Sequence, residues 1–203
     1  MKKGFTLIEL LVVIAILAVL ATAVVLVLNP AELLKEGRDS TRVSDLAAIN
    51  DAIGLWTADV LGGNAGVTWG SNNGKWGSND AVYCTSSTTI PTGILVTGST
   101  CTATTTTSVA GSGWLPLNFT LIAAGSPLPK LPIDPNNGST NCSQGTPAVC
   151  EYIVHVSSTI GIYKLAAQME SVKFRANGSG DVNSDDGGTS NSWYEIGSNL
   201  TSW

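Results

Sequence analysis

The sequence predicts an α+β fold in which one long, kinked N-terminal helix packs against a small antiparallel β-sheet. Three observations predict it. The chain opens with an apolar run, continues with apolar residues at helical spacing, and from residue 62 changes to short apolar runs among Gly, Ser, Thr and Asn. Its 203 residues accommodate one span and one modest globular domain.

The first helical segment is Phe5–Leu28, 24 almost wholly apolar residues. At about 1.5 Å per residue, a helix of this length crosses a bilayer. One acid, Glu9, interrupts the run near its start. Because a carboxylate inside a membrane span costs about 2.5 kcal/mol or more, Glu9 implies a partner that compensates its charge.

A break is expected after Leu28, where Asn29 and Pro30 follow the apolar run. We expect Asn29 to cap a restarted helix, Pro30 to be its first residue and Glu32 to be its capping-box acid. This amphipathic continuation covers residues 29–61 and ends at Gly62-Gly63. Its apolar stripe consists of Val43, Leu46, Ile49, Ile53, Trp56 and Val60.

Residues 62–203 read as a β-rich globular head. The clearest strands are Glu151–Val156 and Gly161–Gln168, which are close enough in sequence to form a hairpin through residues 157–159. Residues 85–108 hold 15 Ser or Thr among 24, which indicates a long surface excursion. Further strands are predicted at Ala81–Tyr83, Ile94–Thr97 and Trp193–Ile196.

Net charge and cysteine content bear on the partners and the cellular compartment of this protein. The formal charge of −5 gives no sign of a nucleic-acid surface. An even set of four cysteines downstream of an export-type segment favours two disulfides in an oxidising compartment, with three pairings possible. The pairing with the shortest loops is the expected one, Cys84 with Cys101 and Cys142 with Cys150.

Three interpretations compete for residues 1–28. A secretory signal peptide has a small-residue cleavage site, which Ala21-Thr22-Ala23 supplies, and cleavage after Ala23 would release a soluble protein. The apolar run continues past that site to Leu28, and it contains Glu9. A plain signal anchor is the second interpretation, but it leaves Glu9 unexplained.

The third interpretation rests on Lys3-Gly4-Phe5-Thr6-Leu7-Ile8-Glu9. This junction resembles the prepilin processing motif of type IV pilins and type II secretion pseudopilins. The resemblance implies that residues 1–4 are a leader, that the chain is cut between Gly4 and Phe5, and that Phe5 becomes a methylated terminus. It also implies that Glu9 meets the terminal amine of a neighbouring subunit and guides assembly.

The same resemblance implies a type IV pilin-like fold and a structural role, not an enzyme. The expected protein is a homo-oligomeric, helical filament subunit, first held by lipid as a single-pass protein of the cytoplasmic membrane with its head outside. Its expected partners are the prepilin peptidase and N-methyltransferase and an assembly platform with a separate ATPase. Pilus and pseudopilus both stay open, and the alternative is a secreted or membrane-anchored protein that binds carbohydrate or another surface.

No cofactor is required by this interpretation, but one loop has the composition of a calcium site. Asp181, Asn183, Asp185 and Asp186 place oxygen ligands at nearly alternating positions before a glycine turn, which suits a hard cation. Major pseudopilins, which the chain resembles, hold calcium in a C-terminal loop. These four residues are therefore the candidate ligands, although the loop departs from an EF-hand, and the alternative is a solvated acidic turn.

Tryptophan and histidine are the remaining candidates for a binding or catalytic role. Six tryptophans would suit a sugar-stacking platform, although core packing is the commoner role of tryptophan. The single histidine, His155, lies in a strand-like run, and the sequence shows no nucleophilic triad around it. The tryptophans are Trp56, Trp69, Trp76, Trp114, Trp193 and Trp203.

Overall fold

The structure, a computed structural model, describes residues 4–61, 81–86, 101–142, 149–157 and 161–201. It begins with two consecutive α-helices, α1 at Leu7–Leu28 and α2 at Pro30–Trp56, followed by a π-helical turn at Thr57–Leu61. We call residues 4–61 the rod, and the rest of the chain from residue 62 the head. The predicted long N-terminal helix is confirmed.

The predicted break falls at a single residue, Asn29, which has a left-handed φ of 40°. Pro30 then opens α2, where its missing N–H costs no helical hydrogen bond. The expected capping box is wrong, because Asn29 makes no side-chain cap bond. The carboxylate of Glu32 instead accepts a hydrogen bond from the backbone N–H of Val172, in the head.

Five strands form one sheet: β1 at Ala81–Cys84, β2 at Cys101–Ala103, β3 at Tyr152–Ser157, β4 at Ile162–Ala167 and β5 at Tyr194–Gly197. Their order is β2-β1-β3-β4-β5. The sheet is mixed and not purely antiparallel, because β1 and β2 run parallel while the other neighbours are antiparallel. The predicted β3–β4 hairpin is confirmed by its register, with Val154 opposite Leu165.

The main core lies between α2 and one face of the sheet. The predicted stripe on α2 is buried at Leu46, Ile49, Ile53, Trp56 and at Val60 beyond it, while Val43 is only half-buried. Alternating strand residues meet the stripe, because side chains of one strand point to opposite faces in turn. Those of β3 and β4 that face the rod are Tyr152, Val154, Val156, Tyr163, Leu165 and Ala167.

A smaller apolar cluster covers the opposite face of the sheet. It includes Cys101 of β2, so the expected surface excursion over residues 85–108 is wrong for this part. The disulfide from β1 draws Cys101 against the sheet, and three residues there pair as an edge strand. The predicted strand Ile94–Thr97 lies outside the described residues, as do residues 158–160 of the hairpin connection.

Candidate assembly site and rod–head joint

The N-terminal end of α1 is built around a contact between Thr6 and Glu9. Thr6 is the N-cap in an extended conformation, and its Oγ1 accepts from the Glu9 backbone N–H at 3.3 Å. Glu9 Oε2 in turn accepts from the Thr6 backbone N–H at 2.8 Å and from the Thr6 hydroxyl at 2.7 Å. This reciprocal capping box fixes the carboxylate beside the first turn.

Apart from Thr22, the rest of α1 is apolar, and no described part of the chain covers it. Phe5 is 86% exposed and Leu7 is 82% exposed, and the candidate membrane span Leu7–Val25 has none of its residues buried. By length and composition this helix can cross a membrane. This apolar surface needs lipid or other protein chains to cover it. Glu9 is the one ionisable residue of α1 that would then lie in apolar surroundings.

Gly4 and Phe5 precede α1, and Glu9 lies in its first turn, so the roles of these three residues in processing and assembly stay predictions. Sequence reasoning missed Thr6, which provides both hydrogen bonds to the Glu9 carboxylate. The spacing Thr-x-x-Glu before an apolar run was the signal that would have found it.

A second polar cluster joins rod to head, and it is centred on the buried guanidinium of Arg42. Arg42 donates to both carboxylate oxygens of Asp134 at 2.7 and 2.8 Å, to Asp39 at 2.7 Å and to Glu170 at 2.6 Å. Arg38, one turn earlier, forks onto Glu170 at 2.9 and 2.6 Å. Two cations and three carboxylates thus connect α2 to two separate segments of the head.

The electrostatics of this cluster favour ionised groups. Burial raises the pKa of Glu170, but hydrogen bonds and charge from Arg38 and Arg42 outweigh it and lower the pKa to about 2. Glu170 is therefore a carboxylate at every physiological pH. Losing one member of such a buried group leaves charges without partners, which costs about 3–5 kcal/mol.

Backbone and tyrosine contacts extend the joint along α2. Asp39 accepts from the backbone N–H groups of Glu170 and Ser171 at 2.9 and 2.7 Å. On the sheet, the Tyr152 hydroxyl donates to Asp45 at 2.8 Å, and burial raises the pKa of Tyr152. The head is thereby fixed to the rod by polar contacts along several turns as well as by the apolar core.

The four cysteines are joined in the local pairs that the loop lengths favoured. Cys84 of β1 is bonded to Cys101 of β2 with Cα atoms 6.0 Å apart, and Cys142 to Cys150 with Cα atoms 4.9 Å apart. Both Cα separations lie in the usual range for disulfides. The Sγ atom of Cys150 lies 3.9 Å from Glu170, which places the second disulfide against the rod–head joint.

The candidate calcium loop is organised by its own backbone. Asp181 accepts from the N–H groups of Asn177, Asn183 and Ser184, and Asp186 accepts from those of Gly188 and Glu195. Asp185 is exposed, and Asn183 is buried. Among the described residues, these carboxylates do not form a group of three with ligand atoms within 4.8 Å, and calcium binding stays a prediction.

The described tryptophans and the single histidine are buried in the head and in its contact with α2. Trp56, Trp114 and Trp193 are fully buried, so a sugar-stacking platform is wrong for these three. Indole N–H groups of the first two donate to backbone carbonyls at 3.1 and 2.8 Å. Trp69, Trp76 and Trp203 lie outside the described residues. His155 lies in β3, as predicted, and it is buried.

Comparison with known proteins gives one match, and it falls on the rod. Residues 1–25 match the family model of the prokaryotic N-terminal methylation motif, which is the prepilin signature of type IV pilins and pseudopilins. No curated protein and no solved structure matches the chain significantly. The matched segment contains Gly4, Phe5, Thr6 and Glu9, and most of the exposed apolar helix.

Proposed function

We propose that this chain is a structural subunit of a type IV pilus or pseudopilus filament, processed after Gly4 and assembled from the cytoplasmic membrane. One observation carries the proposal. A match to the prokaryotic N-terminal methylation motif coincides with an uncovered apolar helix that contains a single acid. An apolar helix that stays on the chain needs lipid or neighbouring helices to cover it, and a filament subunit has first one and then the other.

In the proposed cycle, lipid covers α1 first and the helices of neighbouring subunits cover it afterwards. Moving α1 from lipid into the helical core of a filament costs little free energy, because both surroundings are apolar and contacts with other helices replace contacts with lipid. The head remains outside the membrane, where the Arg42 cluster and the apolar core hold it on the rod and the disulfides crosslink it internally. A separate ATPase would supply the work of extraction through an assembly platform.

Glu9 has a defined role in this proposal. Its carboxylate lies at the start of the apolar helix, held by Thr6. After cleavage and methylation, the amine of Phe5 on a neighbouring subunit is the cation that Glu9 would pair with. A charge in an apolar core is tolerated when it is paired, so this pairing would fix the axial register of docking.

Intact-mass analysis and N-terminal sequencing of the cellular protein test the processing step. The expected chain starts at methylated Phe5, and Gly4→Val blocks its formation. The matched control is Ala23→Val, which alters the competing signal-peptide site and should leave the mature terminus unchanged. A mature chain that starts at Val24 would contradict the proposal and support a secreted protein.

A further inference from the structure

Two buried side chains of the head, Gln168 and Trp193, carry polar atoms that the rest of the fold does not satisfy. Both residues are 0% exposed. Within the part of the chain that the structure describes, neither the amide oxygen nor the amide nitrogen of Gln168 has a hydrogen-bond partner, and the indole nitrogen of Trp193 has none either. Buried polar atoms almost always have a partner, because an unbonded one keeps its full desolvation penalty. These three atoms therefore require a partner that is not a protein side chain.

Gln168 and Trp193 are neighbours at the same end of β4 and β5. The last register pair of these antiparallel strands is Ala167 with Tyr194. Gln168 follows β4 and Trp193 precedes β5, so they form the next pair outward. Side chains alternate between the faces of a sheet, which puts Gln168 on the face of Ala166, and Trp193 packs in the apolar cluster of that same face. Opposed residues of adjacent strands have Cβ atoms about 4.5–5.5 Å apart, so the amide and the indole share one space.

The donors and acceptors of this space select water over an ion. An indole N–H only donates, so a cation gains nothing from Trp193. An anion would lie beside the buried carboxyl of Glu151, which is opposite Gln168 on its other side because Tyr152 pairs with Ala167. A water molecule accepts from an N–H and donates to a carbonyl oxygen, and a buried water needs about two to four polar partners. The indole and the amide together supply them.

The position of this pair gives it a part in the rod–head joint. Residues 168–193 connect β4 to β5, with Gln168 as the first residue of the connection and Trp193 as the last. The connection carries Glu170, whose carboxylate binds Arg38 and Arg42 and whose backbone N–H donates to Asp39. A bridge between the two ends of the connection therefore acts on the segment that fixes the head to α2.

We propose that Gln168 and Trp193 hold an ordered internal water that bridges the two ends of the β4–β5 connection. The water accepts from the indole N–H of Trp193 and donates to the amide oxygen of Gln168. A second water in the same row accepts from the amide nitrogen. The bridge fixes the start of the connection, two residues before Glu170, and so supports the contact of Glu170 with α2.

Nuclear magnetic resonance of the full chain in detergent micelles tests for the water directly. The indole N–H proton of Trp193 is assigned by its loss in Trp193→Phe. We expect a rotating-frame Overhauser peak between this proton and water, with the sign opposite to that of chemical exchange. Trp114 is the matched control, because its equally buried indole N–H donates to the carbonyl of Pro132 at 2.8 Å. No water peak at Trp193, or an equal peak at Trp114, would overturn the proposal.

The effect of Gln168→Met on stability has opposite signs with and without the water. In a site without water, methionine removes two unsatisfied polar atoms, and the midpoint of urea unfolding should rise. In the hydrated site, the substitution removes one partner of the water that Trp193 also binds, and the midpoint should fall. We expect the fall. An unchanged or higher midpoint in Gln168→Met would contradict the bridge.

A double-mutant cycle separates the bridge from a general loss of packing. The variant with both Trp193→Phe and Gln168→Met should lose clearly less than the sum of the two single losses in urea midpoint, because each single change already breaks the bridge. Trp114→Phe combined with Gln168→Met is the control and should be additive. Additive losses for Trp193 and Gln168 would overturn the proposal.

Hydrogen exchange tests the link between the water and the rod–head joint. The backbone N–H groups of Glu170 and Ser171 donate to Asp39, so their exchange reports opening of the joint. In Gln168→Met we expect their exchange to accelerate several-fold more than that of the β3 amides, which report the sheet. Equal acceleration at both places would overturn the assigned support of the joint.

Discussion

Arg42 and Asp134 are 92 positions apart in the sequence, yet they form two near-parallel hydrogen bonds of 2.7 and 2.8 Å in the buried joint between rod and head. The planar guanidinium fork matches the two oxygens of a carboxylate, which gives the contact a fixed direction as well as strength. Because Arg42 also binds Glu170, one side chain ties together α2 and two segments of the head.

Replacing Arg42 with Met should destabilise the protein strongly. The variant keeps a similar side-chain length but leaves Asp134 and Asp39 buried without their cation, so we expect a loss of about 3–5 kcal/mol. Urea unfolding of the full chain in detergent, followed by tryptophan fluorescence, measures it. Lys35→Met removes an exposed salt bridge and should change the free energy by less than about 1 kcal/mol. Equal effects of both variants would contradict this assignment.

The stability of the protein should fall in acid because of Glu170. Its pKa is lowered to about 2 in the folded protein from an ordinary 4.5, so between these values the unfolded chain binds more protons. The stabilisation is therefore complete above pH 4.5 and is lost as the pH falls through 2. Urea unfolding of wild type and Glu170→Gln at several pH values measures it. The difference in the free energy of unfolding between wild type and Glu170→Gln should shrink as the pH falls. A difference that does not change with pH would refute the contribution of Glu170.

Both disulfides should be present in the exported protein. Non-reducing peptide mapping should link Cys84 to Cys101 and Cys142 to Cys150, and free thiols or another pairing would refute this. A crosslink that closes a loop of about 15 residues contributes roughly 3 kcal/mol by restricting the unfolded chain. Reduction should therefore lower the midpoint of urea unfolding. The double variant Cys84→Ser, Cys101→Ser lacks only the disulfide to the edge strand β2. It should therefore show part of the fall in the urea midpoint that full reduction causes.

Glu9→Leu should block assembly without impairing insertion or folding. The substitution removes the one acid of the apolar helix, so insertion becomes easier, while every core residue of the head is unchanged. We expect processed, disulfide-bonded, membrane-resident monomer with few or no filaments in electron micrographs. Abundant normal filaments from a strain without the wild-type copy would show that Glu9 has no role in assembly. Ile8→Leu, a neutral change beside it, is the control.

Calcium should stabilise the head if the loop at residues 181–186 binds it. A ligand that binds only the folded state raises the melting temperature in a concentration-dependent way. Calorimetry of the full chain in detergent should show this rise in millimolar calcium and its reversal by a chelator. Asp185→Asn changes the exposed acid and should weaken the rise. An unchanged melting temperature across the calcium range would remove the prediction.

The helices and the β3–β4 hairpin could be predicted because each depends on residues that are close together in the sequence. Apolar residues at steps of three and four identified the buried stripe from Leu46 to Val60. Two short apolar runs close together in sequence identified the β3–β4 hairpin. Asn29-Pro30 identified the break in the rod, since a proline is best placed at a helix start. The parallel β1–β2 pair escaped prediction, because pairing between distant strands leaves no local pattern.

The sequence by itself determined the rod and predicted its processing site, because the junction at Gly4, the apolar span and Glu9 are contiguous in the chain. Only the tertiary structure decided which charges meet. Arg42 pairs with Asp134 and Glu170, and Glu32 binds the backbone at Val172 instead of capping its own helix. A charged residue looks the same in the sequence whether it lies at the surface or in the buried contact between rod and head. Partners this far apart in the chain come within hydrogen-bonding distance only when the chain folds.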